Sequence, residues 1–208
     1  MSRTIPINLA IEAALDEEVL RKLLLQAGRG YVIGTSYGGR GSGYLRKTVP
    51  GFNFAARGTP FAVLTDLDTE PCPAALIRNW LPQPQHPNLI FRVAVREVEA
   101  WLLAHREAMA RFLGIREDLV PREVDDLRDP KGALIDLARR SRIRELREAI
   151  VPRRGSTASI GPDYNGCLTG FVREYWKVNL AAQSSPSLQR ALTRIGEFRP
   201  VWSHQESQ

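Results

Sequence analysis

Short apolar runs alternate with longer amphipathic segments over the first half of the chain. The runs have the length of buried strands and lie at residues 5–11, 31–35, 60–64 and 89–95. Between them, residues such as Leu15, Val19 and Leu23 recur at helical spacing. Strands that alternate with helices predict an α/β fold with a mostly parallel sheet flanked by helices.

Three segments near these runs are less regular. Residues 36–43 are rich in glycine and carry Arg40, which predicts a loop after the second strand. Residues 44–57 predict a helix that is broken near Pro50, because proline removes a backbone hydrogen bond inside a helix. After the fourth strand, apolar residues at helical spacing predict one long helix that ends at Gly114.

Beyond Pro121 the pattern changes to helices and loops. Asp129 followed by Pro130 predicts the N-cap and first turn of a helix. Further apolar spacing predicts helices around 171–176 and 188–195, after a segment rich in Pro, Gly and Ser at 151–163. We therefore predict three parts, which are an α/β core at 1–120, a helical extension packed on it at 121–202, and a disordered tail at 203–208.

The composition favours a polyanionic partner and an intracellular location. Among the 208 residues, 29 Lys and Arg exceed 23 Asp and Glu, giving a formal net charge of +6. Cys72 and Cys167 are isolated from each other, so neither a disulfide framework nor a zinc site is expected. No signal peptide or membrane-spanning apolar stretch is recognised. We expect a cytoplasmic protein with reduced thiols and no membrane association.

Acidic residues follow two of the predicted strands. Glu12 comes directly after the first strand, and Asp66 and Asp68 follow the third. The carboxyl ends of parallel strands share one edge, where open α/β folds bind their ligands. Carboxylate oxygens are the ligands that Mg²⁺ prefers. The same residues also have simpler roles, since Asp is common in turns and Glu near a helix start complements the helix dipole.

The order of these motifs resembles a known family. The segment Glu12-Ala13-Ala14-Leu15-Asp16, followed by Asp66-Leu67-Asp68 after an apolar strand, resembles the Toprim pattern of topoisomerases, primases and overcoming-lysogenization-defect nucleases. The segments 96–104 and Pro130-Lys131 are similar to small bacterial Toprim-like proteins that are often associated with phage defence and with ATPase partners. The resemblance covers about residues 5–135 and implies a Toprim-like fold.

The resemblance also implies roles for particular residues. It implies that Glu12 acts in acid/base chemistry or metal binding and that Asp66 and Asp68 bind Mg²⁺ or Mn²⁺. It also implies that Lys131 stabilises phosphate charge if its helix points at the carboxylate edge, whereas Lys131 is otherwise an ordinary surface lysine. Glu97 and Glu99 are expected as further metal ligands. On a strand these two would share a face, whereas on a helix they would point about 200° apart and would only balance the helix dipole.

Two positions depart from the Toprim pattern. Ala13 stands where many Toprim sequences have glycine, and His105 where relatives often have aspartate. The first change bears on the tightness of the turn but removes no ligand. We do not expect His105 to be a ligand.

Basic residues supply two candidate nucleic-acid contacts. Arg40, Arg46 and Lys47 flank the glycine-rich loop, which would hold phosphate if its backbone N–H groups are exposed, and is otherwise a plain flexible connection. The arginine run at 139–147 is interleaved with glutamates, which is typical of a solvated, self-paired helix face.

Together these features favour a nuclease of Toprim type that depends on Mg²⁺ or Mn²⁺, with water activated at Glu12, Asp66 and Asp68 and nucleic acid as its partner. One alternative is a regulatory or nucleic-acid-binding module that acts in complex with an ATPase. A second is a phosphatase-like phosphotransfer enzyme that uses the same acidic edge.

Overall fold

The computed structural model describes residues 4–202 and confirms the α/β architecture. Its four strands are β1 (Ile5–Ile11), β2 (Tyr31–Gly38), β3 (Phe61–Asp66) and β4 (Leu89–Ala94). The helices are α1 (Ala14–Gln26), α2 (Ser42–Ala55), α3 (Pro73–Trp80), α4 (Val98–Leu103), α5 (Arg106–Leu113), α6 (Pro130–Arg139), α7 (Arg144–Ile150), α8 (Tyr164–Glu174), α9 (Val178–Ala182) and α10 (Pro186–Glu197). Short 3₁₀ helices lie at Glu117–Leu119 and Val124–Asp126.

All four strands are parallel, in the order β2-β1-β3-β4. β3 is buried up to its last residue, and most residues of β1 and β4 are buried as well, as expected for a parallel sheet that is covered on both faces. The β1–β2 pairing shifts register between Ile7 and Leu9, where the Asn8 side chain accepts the Thr35 backbone N–H at 2.9 Å. This arrangement is consistent with the Toprim-like fold that the sequence predicts.

The described residues form two compact units. The first consists of the chain up to Ala94 together with the residues from Arg190 onward, and the second is Val95–Gln189. The division therefore lies elsewhere than at the predicted boundary near residue 120, and it falls within α10. The predicted tail at 203–208 lies outside the described residues.

Hydrogen bonds within the first unit explain why the end of the chain belongs with the sheet. The Tyr31 hydroxyl donates to the Ile195 carbonyl at 2.6 Å. The buried Asn88 amide, just before β4, donates to the Val201 carbonyl at 2.8 Å and accepts the Val201 N–H at 2.7 Å. These bonds join residues more than a hundred positions apart, which helix periodicity does not reveal.

The second unit is built around buried tryptophans. The Trp101 indole N–H donates to the Ser187 hydroxyl at 2.7 Å, and the Trp176 indole N–H donates to the Trp101 carbonyl at 3.1 Å. At the start of α6, the Asp129 side chain accepts the Gly132 N–H at 2.7 Å, so the predicted N-cap is confirmed. These contacts bring α4 into the helical unit, although we predicted it in the sheet core.

Several element boundaries differ from the predictions. Strand β2 continues past Thr35 to Gly38 and α2 begins at Ser42, so the predicted loop at 36–43 is shorter. Helix α2 also runs through Pro50 without the predicted break. Pro50 is exposed, and water can satisfy the carbonyl that its missing N–H leaves unbonded. The helix predicted to end at Gly114 is two helices, separated at His105, whose Nδ1 accepts the Lys177 backbone N–H at 3.1 Å.

Within residues 4–202, none of the helices combines the length and apolar character needed to cross a membrane.

Candidate functional site

The carboxyl ends of β1 and β3 bring Glu12 and Asp66 together. These strands pair in parallel, with Ala10 opposite Val63, so the residues that follow them meet at one edge. The Glu12 carboxylate accepts hydrogen bonds from the Thr65 hydroxyl and, at 3.3 Å, from the Asp66 backbone N–H. Two residues separated by 54 positions are thus in direct contact.

Asp66 and Asp68 share a cavity of about 190 Å³ at this edge. Asp66 ends β3, and the next N–H, of Leu67, donates to the Ala94 carbonyl at 2.9 Å. Asp68 has a φ of +48°, a left-handed conformation that aspartate tolerates better than most residues. The chain therefore turns at Asp68, and Glu70 joins the two aspartates in lining the cavity.

The same cavity is lined by the amino end of α2. Ser42, Gly43 and Arg46 are among its lining residues. The first N–H groups of a helix have no partner within it and carry partial positive charge, which favours anions. The cavity therefore combines carboxylates with a guanidinium and the positive end of a helix. It has an apolar side as well, formed by Leu76 and Trp80.

The preceding loop is held against the end of β1. The Gly39 N–H donates to the Ile11 carbonyl at 3.3 Å, and the Gly41 N–H donates to the Glu12 carbonyl at 3.2 Å. Gly38 has a φ of +131°, and a Cβ added there would lie 1.8 Å from the Ile11 carbonyl oxygen. Only glycine permits this close approach, which sets where α2 begins relative to Glu12.

The predicted basic residues do not all line the cavity. Arg46 does, whereas Arg40 and Lys47 do not. The Arg40 guanidinium lies over the Tyr44 ring, 5.4 Å from its centroid. Glu12 also does not line the cavity, because its carboxylate is directed to Thr65 and Asp66. Sequence reasoning missed Ser42, Gly43, Thr65 and Glu70, whose only signal was their closeness to the predicted residues.

Glu97, Glu99 and Lys131 form a charged cluster in the second unit. The Lys131 ammonium lies 3.2 Å from a Glu97 carboxylate oxygen and 3.6 Å from a Glu99 carboxylate oxygen. The Lys131 backbone N–H also donates to Glu97 at 2.9 Å, so Glu97 caps the amino end of α6. The Tyr164 hydroxyl donates to Glu99 at 2.9 Å. Sequence reasoning identified the first three residues and missed Tyr164.

Local structure explains how both glutamates reach Lys131. Glu97 is extended and immediately precedes α4, and Glu99 lies in the first turn of that helix. Neither the purely helical nor the purely strand-like alternative therefore applies to the pair. Glu99 is buried, and burial raises the pKa of its carboxyl group although the Lys131 charge opposes the rise.

The metal assignments stay predictions. Across residues 4–202, no three or more His, Cys, Asp or Glu side chains are grouped so that they could hold a metal ion. The oxygen donors of the cavity nevertheless suit a hard cation, because Mg²⁺ needs only one or two carboxylates together with water and substrate phosphate. Glu97 and Glu99 lie in the second unit, and their predicted part in a two-metal site likewise stays a prediction.

The arginine run at 139–147 extends from the end of α6 into α7, and two of its five arginines form ion pairs with described residues. Arg139 lies 2.7 Å from Asp136, and Arg144 lies 2.7 Å from Glu148. These side chains are exposed, which agrees with the solvated, self-paired face that the sequence predicts.

Comparison of the chain with protein-family models, with curated proteins and with solved structures found no match.

Proposed function

We propose that the acidic edge at Glu12, Asp66 and Asp68 binds Mg²⁺ or Mn²⁺ and that the protein hydrolyses phosphodiester bonds in nucleic acid. The observation that carries the proposal is the cavity in which Asp66, Asp68 and Arg46 meet the amino end of α2. Carboxylates suit a cation, while a guanidinium and helix N–H groups suit the phosphate that accompanies it.

Each group in the cavity has a role in this proposal. Asp66 and Asp68 would hold the cation, and Arg46 with the N–H groups of α2 would bind the phosphate oxygens. A bound divalent cation supplies charge neutralisation at the phosphate and a lower pKa for water. Glu12 lies next to Asp66 but outside the lining of the cavity, and the Toprim resemblance supports its role as the carboxylate that would accept a proton from the attacking water.

The Toprim resemblance adds Glu97, Glu99 and Lys131 to the proposal, with the two glutamates as further ligands and the lysine as a catalytic cation. Support comes from their chemistry, because two carboxylates converge on one ammonium group with a tyrosine hydroxyl beside them. Buried ion pairs of this kind also occur for purely structural reasons. The roles of this cluster are therefore tested separately from those of Asp66 and Asp68.

A polyanionic substrate is favoured over a small phosphate ester by the net charge of +6. The phosphatase alternative uses the same carboxylates, so the choice of substrate distinguishes it from the nuclease. The alternative of a module that acts with an ATPase requires no hydrolysis by this chain alone. Its association with an ATPase, like a place in phage defence, follows from the resemblance only.

The test is a cleavage assay on plasmid DNA, single-stranded DNA and RNA with Mg²⁺, with Mn²⁺ and with EDTA. We expect metal-dependent cleavage by the wild type and its loss in Asp66→Asn and Asp68→Asn. The matched control is Asp136→Asn, which removes the same charge from an exposed helix position and should retain activity.

Three results would contradict the proposal. The first is cleavage that survives in both aspartate variants, and the second is equal loss in Asp136→Asn. The third is hydrolysis of p-nitrophenyl phosphate without cleavage of any nucleic acid, which would favour the phosphatase.

A further inference from the structure

Arg92 is a charged residue in the middle of an apolar edge strand. β4 is hydrogen-bonded only to β3 among the described strands, and every other residue of β4 is buried. Side chains alternate along a strand, and Phe91 packs against Trp80 of α3 with ring centroids 6.0 Å apart. The Arg92 side chain therefore leaves the sheet on the face opposite α3.

Two further arginines act on Arg92. Arg190 and Arg194 are exposed on α10, four residues and about one helical turn apart, so they lie on the same face of that helix. Burial, followed by the charges of Arg194 and Arg190, lowers the pKa of Arg92. We refer to Arg92, Arg190 and Arg194 as the arginine patch.

The arginine patch lacks the acidic partner that a half-buried guanidinium normally has. In the part of the chain that the structure describes, none of its members forms an ion pair with a carboxylate. The Arg92 Nε–H donates to the Phe91 carbonyl at 2.6 Å, which satisfies one donor but neutralises no charge. A partly desolvated cation beside two other cations is unfavourable, and a bound anion would relieve the repulsion among them.

We propose that the arginine patch binds consecutive phosphate groups of a nucleic-acid strand. Guanidinium groups bind phosphate oxygens in pairs of hydrogen bonds, and three of them distributed over a helix turn and a strand suit a row of charges. A nucleic-acid strand carries such a row, about one charge per 3.4 Å of duplex axis, whereas a phosphorylated side chain offers a single phosphate. The site needs no metal, so it does not rest on hydrolysis at the acidic edge.

The test compares two double variants that each remove two positive charges. Arg190→Gln/Arg194→Gln alters the arginine patch, while the control Arg139→Gln/Arg144→Gln alters exposed arginines that are already paired with Asp136 and Glu148. Binding of a fluorescein-labelled single-stranded DNA is measured by anisotropy in EDTA over a range of NaCl concentrations. With EDTA present, the measured DNA affinity does not depend on a cation at Asp66.

We expect a clear difference between the two double variants. A single strand contributes a slope of about −0.7 in log affinity against log salt per phosphate contact, so two lost contacts should flatten the slope by about 1.4. The same relation predicts binding about 25-fold weaker at 0.1 M salt. The control should keep the wild-type slope, because Arg139 and Arg144 already bind carboxylates and are not expected to contact phosphate.

A single variant of Arg92 provides an independent test of the arginine patch. Arg92→Met keeps most of the side-chain length and removes the unpaired charge, so it should raise the melting temperature without DNA while weakening DNA binding. A purely structural arginine would give the opposite change in melting temperature and would leave DNA affinity alone.

Two results would overturn the inference. One is equal DNA affinity and salt slope in the patch and control variants. The other is a phosphopeptide that binds the wild type and loses affinity in the patch variant while DNA binding does not change, since this would make the patch a protein-docking site. Metal-dependent cleavage with no loss of affinity in the patch variant would overturn this inference alone, and metal-independent DNA binding that the patch variant loses, without any cleavage, would overturn only the proposed function, so the two failures are distinguishable.

Discussion

Replacing Gly38 by alanine should disrupt the edge at which the candidate site is built. The new Cβ would lie 1.8 Å from the Ile11 carbonyl oxygen, and the atoms in conflict are backbone atoms, which cannot move aside as a flexible side chain can. A left-handed φ alone costs a non-glycine residue about 1–2 kcal/mol. With the clash added, we expect Gly38→Ala to lower the free energy of unfolding by about 3 kcal/mol or more.

Two neighbouring glycines provide matched controls. Gly39 has a φ of +75° but open space around a new Cβ, so Gly39→Ala should cost only the left-handed penalty of about 1–2 kcal/mol. Gly51 lies inside α2 with open space around it, so Gly51→Ala should stabilise by about 0.5–1 kcal/mol. Urea unfolding followed by tryptophan fluorescence measures all three variants.

The order of the urea midpoints of the wild type and the three glycine variants tests this prediction. It should run, from highest to lowest, Gly51→Ala, wild type, Gly39→Ala and Gly38→Ala. If Gly38→Ala were no less stable than Gly39→Ala, the close approach of β2 to the Ile11 carbonyl would be refuted. The inferred position of the α2 start beside Glu12 would then lose its physical basis.

Three further predictions concern buried polar groups. Asn88→Ala should cost about 2–3 kcal/mol in urea unfolding, because it leaves buried backbone groups without partners, whereas exposed Asn79→Ala should be near neutral. Because the pKa of Glu99 is raised in the folded protein, the free energy of unfolding of the wild type should fall, relative to that of Glu99→Gln, as the pH rises from below 4.5 through that raised pKa. If the free energies of unfolding of the two proteins, measured in urea, changed in parallel with pH, this prediction would be refuted. Lys131→Met should cost about 3 kcal/mol at neutral pH and less in acid, where Glu99 is protonated, and an equal cost at both pH values would contradict it.

The sheet could be predicted from the sequence because its signals are local. The run at 60–64 is apolar throughout, and such a run with turn residues on either side forms a buried strand in a parallel sheet. The contact between Glu12 and Asp66 followed from topology alone, since residues after neighbouring parallel strands must meet at one edge.

The features that sequence reasoning missed depend on distant contacts. Helix α2 can continue through Pro50 because Pro50 is exposed to water, and the local sequence does not show which side of the helix will be exposed. The end of the chain belongs with the sheet because of bonds such as Asn88 to Val201. Tyr164 reaches Glu99 across 65 residues, and nothing near Tyr164 in the sequence distinguishes it from a core aromatic residue.

Thermal unfolding with increasing Mn²⁺ tests most directly whether Asp66 and Asp68 bind a divalent cation. A ligand that binds only the folded state adds about 2.7 kcal/mol at one hundred times its dissociation constant. We expect Mn²⁺ to raise the melting temperature of the wild type and of Asp136→Asn but not of Asp66→Asn or Asp68→Asn. An equal rise in all four proteins would contradict it.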